Sequence, residues 1–173
     1  MKYLLTIFCL ILCSCFPEKE PYGNQLLPSS SSNSFDVDIR VDKEKFKSEW
    51  NLWKSKDIKN YSFKLKGDAS PMTDAYEVAI IVKNGIMDSF EYIGKKPNME
   101  PEYTSISDMY QKIYNEIMDY ENQELENCHL VVQYEMEYDQ ESHYITNFEA
   151  SYGASDCEGL GHLKATVSDF LQN

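Results

Sequence analysis

Arginine is almost missing from this 173-residue chain: Arg40 is the only one. Dedicated bidentate recognition of phosphate or carboxylate, for which the guanidinium fork is built, therefore has little to work with. The catalytic signatures GxSxG and HExxH, the P-loop, the GxGxxG turn and the twelve-residue EF-hand pattern are absent, and no CxxC pair or HxxxH module offers a ready zinc site. Positive charge is scarce, with 16 Lys and Arg against 29 Asp and Glu and a net charge of −13. A surface this acidic repels a phosphate backbone, so nucleic acid is excluded as a partner.

What the N-terminus does have is "FCLILCSCFPEKE", residues 8 to 20, where an apolar run ends in two cysteines and turns charged. With Lys2 ahead of it, the run from Tyr3 to Leu12 has the layout of a secretory signal and is too short for a permanent membrane span. Leu12-Cys13-Ser14-Cys15 resembles the bacterial lipobox, an aliphatic residue three places before the modified Cys and a small one just before it. Cys15 fits and Cys13, preceded by bulky Leu12, does not. The resemblance implies a diacylglyceryl thioether and an N-acyl chain of the palmitate type on Cys15. Several chains, at about 0.8 kcal/mol per buried methylene, hold a protein at a membrane where one chain is marginal. The expected organisation is a lipoprotein signal over 1–14, a lipidated Cys15 with a Ser-, Pro- and Asn-rich tether over 15–41, and one folded domain over 42–173.

Loss of residues 1–14 leaves Cys128 and Cys157 as the remaining thiols in a compartment that permits disulfides. Their pairing is expected, closing a loop of about thirty residues at roughly 3 to 4 kcal/mol in the chain-entropy model. Zinc held by the two cysteines and two of the three histidines is the other reading of the same residues.

Phe46, Trp50 and Trp53 recur at helical spacing after Asp42, predicting a helix with one aromatic stripe. Tyr61, Phe63 and Leu65 alternate as a strand. Asn84-Gly85 then joins two further strands. A three-residue loop over Lys83 to Gly85 is the expected hairpin geometry, because it matches apolar residues better than a two-residue loop. Ser105 and Asp108 form a capping box ahead of the stripe Ile106, Met109, Tyr110, Ile113, Ile117 and Tyr120. Leu130 to Tyr138 and Tyr144 to Phe148 read as an antiparallel pair around a turn at Asp139 to His143, and the closing segment around Leu163 to Val167 as a last strand. The fold class is thus α+β, an antiparallel sheet of about six strands with two helices packed on one face.

Trp50 followed by "YSF", Val78 to Gly85, the helix "SISDMYQKI" and Tyr138-Asp139 resemble small bacterial lipoproteins built on an uncharacterised domain of unknown function. The similarity covers nearly the whole mature domain, in turn and core residues, with a short acidic loop after Asp139 as a departure. It implies location and fold, not an activity.

Charge is segregated: eight lysines lie between Lys43 and Lys66, and fifteen acids against Lys112 alone between Met99 and Glu158. A basic end facing anionic headgroups and an acidic end open to a cationic ligand is one expectation, and a solvated surface the other. Ligand-like residues gather late in the chain, at His129, Asp139, Glu141, His143, Asp156, Glu158 and His162. Tyr103, Tyr152 and Tyr92 are the tyrosines near element ends. No catalytic residue, metal or cofactor is assigned. The function expected is a non-catalytic, protein-binding module of the bacterial cell envelope, lipid-anchored and facing periplasm or cell surface. A metal-dependent or acid/base hydrolase using the late His/acid cluster, and a structural envelope role, are the alternatives.

Overall fold

The computed structural model describes residues 34–35, 37–70, 75–94, 100–122, 125–126, 130–154 and 161–173. In chain order these form β1 (Ser34–Phe35), β2 (Asp38–Arg40), α1 (Lys43–Ser55), β3 (Tyr61–Ser70), β4 (Tyr76–Lys83), β5 (Ile86–Tyr92), α2 (Ile106–Glu121), β6 (Leu125–Glu126), β7 (Leu130–Tyr138), β8 (Ile145–Ala154) and β9 (Gly161–Gln172). The fold is α+β, with two helices and a seven-stranded sheet in the order β2-β7-β8-β9-β3-β4-β5. β1 and β6 make a separate two-stranded ladder.

The sheet is mixed, which corrects the expectation of about six purely antiparallel strands. Its additional strand, β2, pairs parallel with β7, Ile39 opposite Val132. Val37, Ile39 and Val41 alternate as a strand should, within a stretch whose composition reads as tether, and all three pack against the core. Parallel pairing is open to β2 because α1, β3 to β5 and α2 all lie between it and β7.

Both helices begin where the caps put them. Asp42 accepts from the Lys45 amide at 2.9 Å and Ser105 from the Asp108 amide at 3.0 Å, satisfying first-turn donors that have no partner within the helix. The Asp108 carboxylate returns to Thr104, accepting from its amide at 2.9 Å and its hydroxyl at 3.0 Å. Ile106, Met109, Tyr110, Ile113 and Ile117 are buried along α2 as their spacing predicts. Tyr61 joins the layers: its ring meets Trp53 of α1 edge-on at 5.7 Å, and its hydroxyl accepts from the Ile106 amide at the start of α2.

Buried side chains share one face of the sheet, with Tyr134 opposite Ala150, Phe148 opposite Ala165, and Leu65 between Val167 and Val78. The alternating positions, among them Lys64, Lys66, Glu135, Glu149 and Lys164, are polar and more exposed. On that polar side Lys64 pairs with Asp169 at 2.7 Å, and Glu149 lies 3.6 Å from Lys164 and 3.8 Å from His162.

Two local irregularities decide what faces inward. The β4–β5 loop has two residues, Asn84 and Gly85, both at positive φ, not the three expected. A register shift beyond Val82 and Met87 then sets Ile80 opposite Phe90 and Val78 opposite Tyr92. Apolar matching is achieved by a bulge inside β5, not by a longer turn. In β9 the register shifts near Asp169, whose φ is +50, and this turns Phe170 onto Trp53, Tyr61 and Tyr144. The step from Val167 to Phe170 therefore mimics helical spacing in what is a strand.

Candidate functional site

Tyrosine and glutamate meet at one corner, where α2 ends near the start of β7 and the end of β8. Glu116 follows Ile113 on α2 and precedes Ile117, which places it at the margin of the buried stripe. Its Oε1 accepts the Tyr152 hydroxyl of β8. Tyr152 can lie here because it sits opposite Gly161, where a Cβ would come within 3.1 Å of the ring. Tyr120, one turn further along α2, packs on Tyr152 at 6.0 Å between centroids. Tyr134 of β7 is only 5% exposed, and its hydroxyl is buried beside Glu116. Tyr103, buried just ahead of α2, and Glu102 complete the group.

Electrostatics tie these residues together. Burial first, then the Glu116 charge, raise the Tyr134 and Tyr120 hydroxyls above the usual phenol range. Tyr152 is raised first by burial and then by its bond to Glu116. Tyr103 rises by burial and by the charges of Glu102 and Glu116. Glu102 is an exposed residue, yet crowding of its carboxyl and then Glu116 push its pKa up, with Lys112 opposing. Lys112 is engaged elsewhere, 3.1 Å from Asp108 and donating to the Glu102 carbonyl. Lys112, Asn115, Glu116, Asp119 and Tyr120 line an open cleft of about 390 Å³. The corner offers carboxylate and phenol oxygens beside aromatic rings, a chemistry suited to holding a cation.

The β7–β8 turn forms a second cluster. Asp139 accepts from the amides of Glu141 at 3.1 Å and Ser142 at 2.6 Å, so its carboxylate builds the turn. His143 is held at φ +61 by its surroundings: its amide donates to the Asp139 carbonyl and its carbonyl accepts the Tyr110 hydroxyl at 2.6 Å. Its Nδ1 lies 2.9 Å from Glu49 Oε2 on α1. Tyr110 is stacked between Trp50 and Tyr138, ring planes within 3° and 14°. Glu141 is exposed. The cluster fastens the turn to both helices.

Of the residues singled out from sequence, Tyr103 and Tyr152 come together around Glu116. Asp139, Glu141 and His143 share one turn at the other end of the same hairpin. From Val132, the register partner of Tyr152, to Tyr138 is six strand residues, about 20 Å. His162 sits opposite Ser151 on β9. Tyr92 is half-buried on β5, 6.1 Å from Tyr76. Cys15, Cys128, His129, Asp156, Cys157 and Glu158 lie outside the described residues. Among the described residues no three His, Cys, Asp or Glu are grouped to hold a metal ion, and no helix is long and apolar enough to cross a membrane. Glu49, Glu102, Glu116 and Tyr134 were not visible as site residues in the sequence; the one available signal was Glu116 standing four residues before Tyr120 on α2. The class defined so far is an α+β domain with a mixed seven-stranded sheet and a tyrosine-glutamate corner. No protein-family model matches the chain, and no curated protein matches it.

Proposed function

We propose that this chain is a bacterial envelope lipoprotein, held to its membrane through lipid on Cys15, whose folded domain is a non-catalytic protein-binding module. The lipobox-like Leu12 to Cys15 supports the anchor. Both helices cover one face of the sheet, a reading supported by Tyr61 touching Trp53 of α1 and Ile106 of α2. The other face and one edge are then left for a partner.

The observation that carries the binding role is the edge strand β5. Ile93 donates its amide to the Glu77 carbonyl at 2.8 Å, so in the antiparallel alternation the Phe90 amide points away from β4. Ile86 is 72% and Phe90 37% exposed along this edge, with Asp88 and Glu91 between and beside them. Long exposed edges with apolar side chains invite strand addition. The partner fitting this edge is an extended segment with apolar and basic residues.

A photo-crosslinking residue at Ser89, carried by the full-length protein in its native cells, tests this. One discrete adduct, mapped to an extended segment of its partner and lost on Phe90→Pro, is the expected result. Proline removes the outward donor at a position where an edge tolerates it. Absence of any adduct, or an adduct indifferent to Phe90→Pro, refutes the proposal.

A further inference from the structure

Asn84-Gly85 is the only Asn-Gly pair in the chain, and it sits at the exposed tip of the β4–β5 hairpin. With no side chain on Gly85 to hinder it, the backbone nitrogen after Asn84 can reach the side-chain amide carbon of Asn84 whenever the turn is free to rotate. The fold takes that freedom away from outside the hairpin. Gly85 donates its amide to the Lys59 carbonyl at 2.9 Å, and Asn84 donates its own to Asn60 Oδ1 at 3.0 Å. Both residues are thereby held at positive φ, +53 at Asn84 and +79 at Gly85. The loop that supplies these acceptors is itself pinned at both ends. Lys56 and Asp57 donate their amides back into the last turn of α1, and the Asn60 carbonyl accepts the Asn173 amide at 3.0 Å. An acceptor 24 residues upstream thus governs whether the turn can react.

We propose that Asn84 is a site of spontaneous deamidation latched by Asn60 and Lys59. In the reaction the Gly85 amide gives its proton to solvent base, and its nitrogen attacks Asn84 Cγ. A carbon–nitrogen bond forms, the Cγ–Nδ2 bond breaks, and Nδ2 leaves as ammonia after taking a proton from water. Water then opens the cyclic imide at either carbonyl to give aspartate or isoaspartate, and nothing is oxidised or reduced. While the Gly85 N–H is bonded to Lys59, its proton is withheld from base and the peptide is held from rotating onto Cγ. The product places a new carboxylate beside the Lys83–Asp88 pair at the head of β5, and isoaspartate adds a backbone methylene to a two-residue turn. Deamidation therefore loosens the hairpin that carries the edge strand, whatever that strand binds.

Full-length protein is aged in mildly alkaline buffer, folded and in urea, and peptide mapping separates asparagine, aspartate and isoaspartate at position 84. The folded chain should convert at least about tenfold more slowly than the unfolded one, since reaction needs both hydrogen bonds opened. Asn60→Ala should speed conversion of the folded chain roughly two- to tenfold, the factor that one hydrogen bond supplies. Asn60→Asp keeps an acceptor oxygen in the same place and should convert like the parent. Gly67→Ala crowds Tyr76 at the far end of the β3–β4 pair and should leave the rate unchanged. Equal conversion of folded and unfolded protein, an Asn60→Ala rate no faster than the parent, or acceleration by Gly67→Ala equal to that by Asn60→Ala would overturn the assignment.

Discussion

Gly67→Ala puts a single methyl group where the fold has left none. Gly67 lies on β3 opposite Tyr76 on β4, and a Cβ there would stand 2.5 Å from Tyr76 Cζ and 2.6 Å from its Cε1 and hydroxyl. Unbonded carbons settle at about 3.5 to 4.0 Å, so the ring must retreat by about 1 Å or leave its place. Tyr76 is half-buried, packs on the core and meets Tyr92 edge-on. Overpacking of this kind costs roughly 1 to 3 kcal/mol. Against it stands the usual gain of about 0.4 to 1 kcal/mol when alanine restricts the unfolded chain, available because Gly67 is not at positive φ. The net expectation is a loss of about 1 to 2 kcal/mol, read as a lower urea midpoint with unchanged m-value. In a Tyr76→Ala background the same change should become neutral or stabilising, giving a coupling of about 1 kcal/mol or more in the double-mutant cycle. If Gly67→Ala stabilises the wild-type domain, the close approach of Tyr76 to β3 is wrong.

Gly85→Val should cost more than about 1 kcal/mol, since φ is +79 at that position and a β-branched residue is strained there; an unchanged melting temperature would refute the two-residue turn. Alkali should unfold the domain, because burial raises Tyr76 to about 12 and holds Tyr103, Tyr110, Tyr134 and Tyr152 above the ordinary phenol range. A raised folded pKa means stability fully present below about pH 10, the unfolded value, and lost as pH climbs toward 12. Phenolate absorbance should therefore rise late and together with loss of structure; independent titration of all tyrosines near pH 10 in a folded protein would contradict it. Peptide mapping without reduction should find Cys128 and Cys157 in one linked species, whereas two alkylatable thiols or zinc released on denaturation would favour the metal reading.

The helices were legible because caps and stripes are local: Asp42 with Phe46, Trp50 and Trp53, and Ser105 with the run from Ile106 to Ile117, lie within a few turns of each other. The Asn84-Gly85 hairpin was legible too, yet its register was not, since a bulge inside β5 achieves the apolar matching that a longer loop would also give. β2 escaped because three alternating residues, Val37, Ile39 and Val41, are too short a signal in a polar stretch, and their partner β7 lies about ninety residues away. The same distance hides the functional geometry. Glu49 and His143 are 94 residues apart and Glu116 and Tyr152 are 36 apart, so an acid on a helix cannot be told from a solvated one until the sheet is assembled. Tyr103 and Tyr152 are legible because they lie near element ends, which is where strands and helices converge on a corner.

Intact-mass analysis of the protein extracted from its native membrane reads the proposed lipid anchor on Cys15 itself. The expected species is a chain beginning at Cys15, heavier than its sequence by a diacylglyceryl group and an acyl chain, with both the added mass and membrane association lost in Cys15→Ser. A chain that begins elsewhere, or one beginning at Cys15 without added lipid, would contradict it.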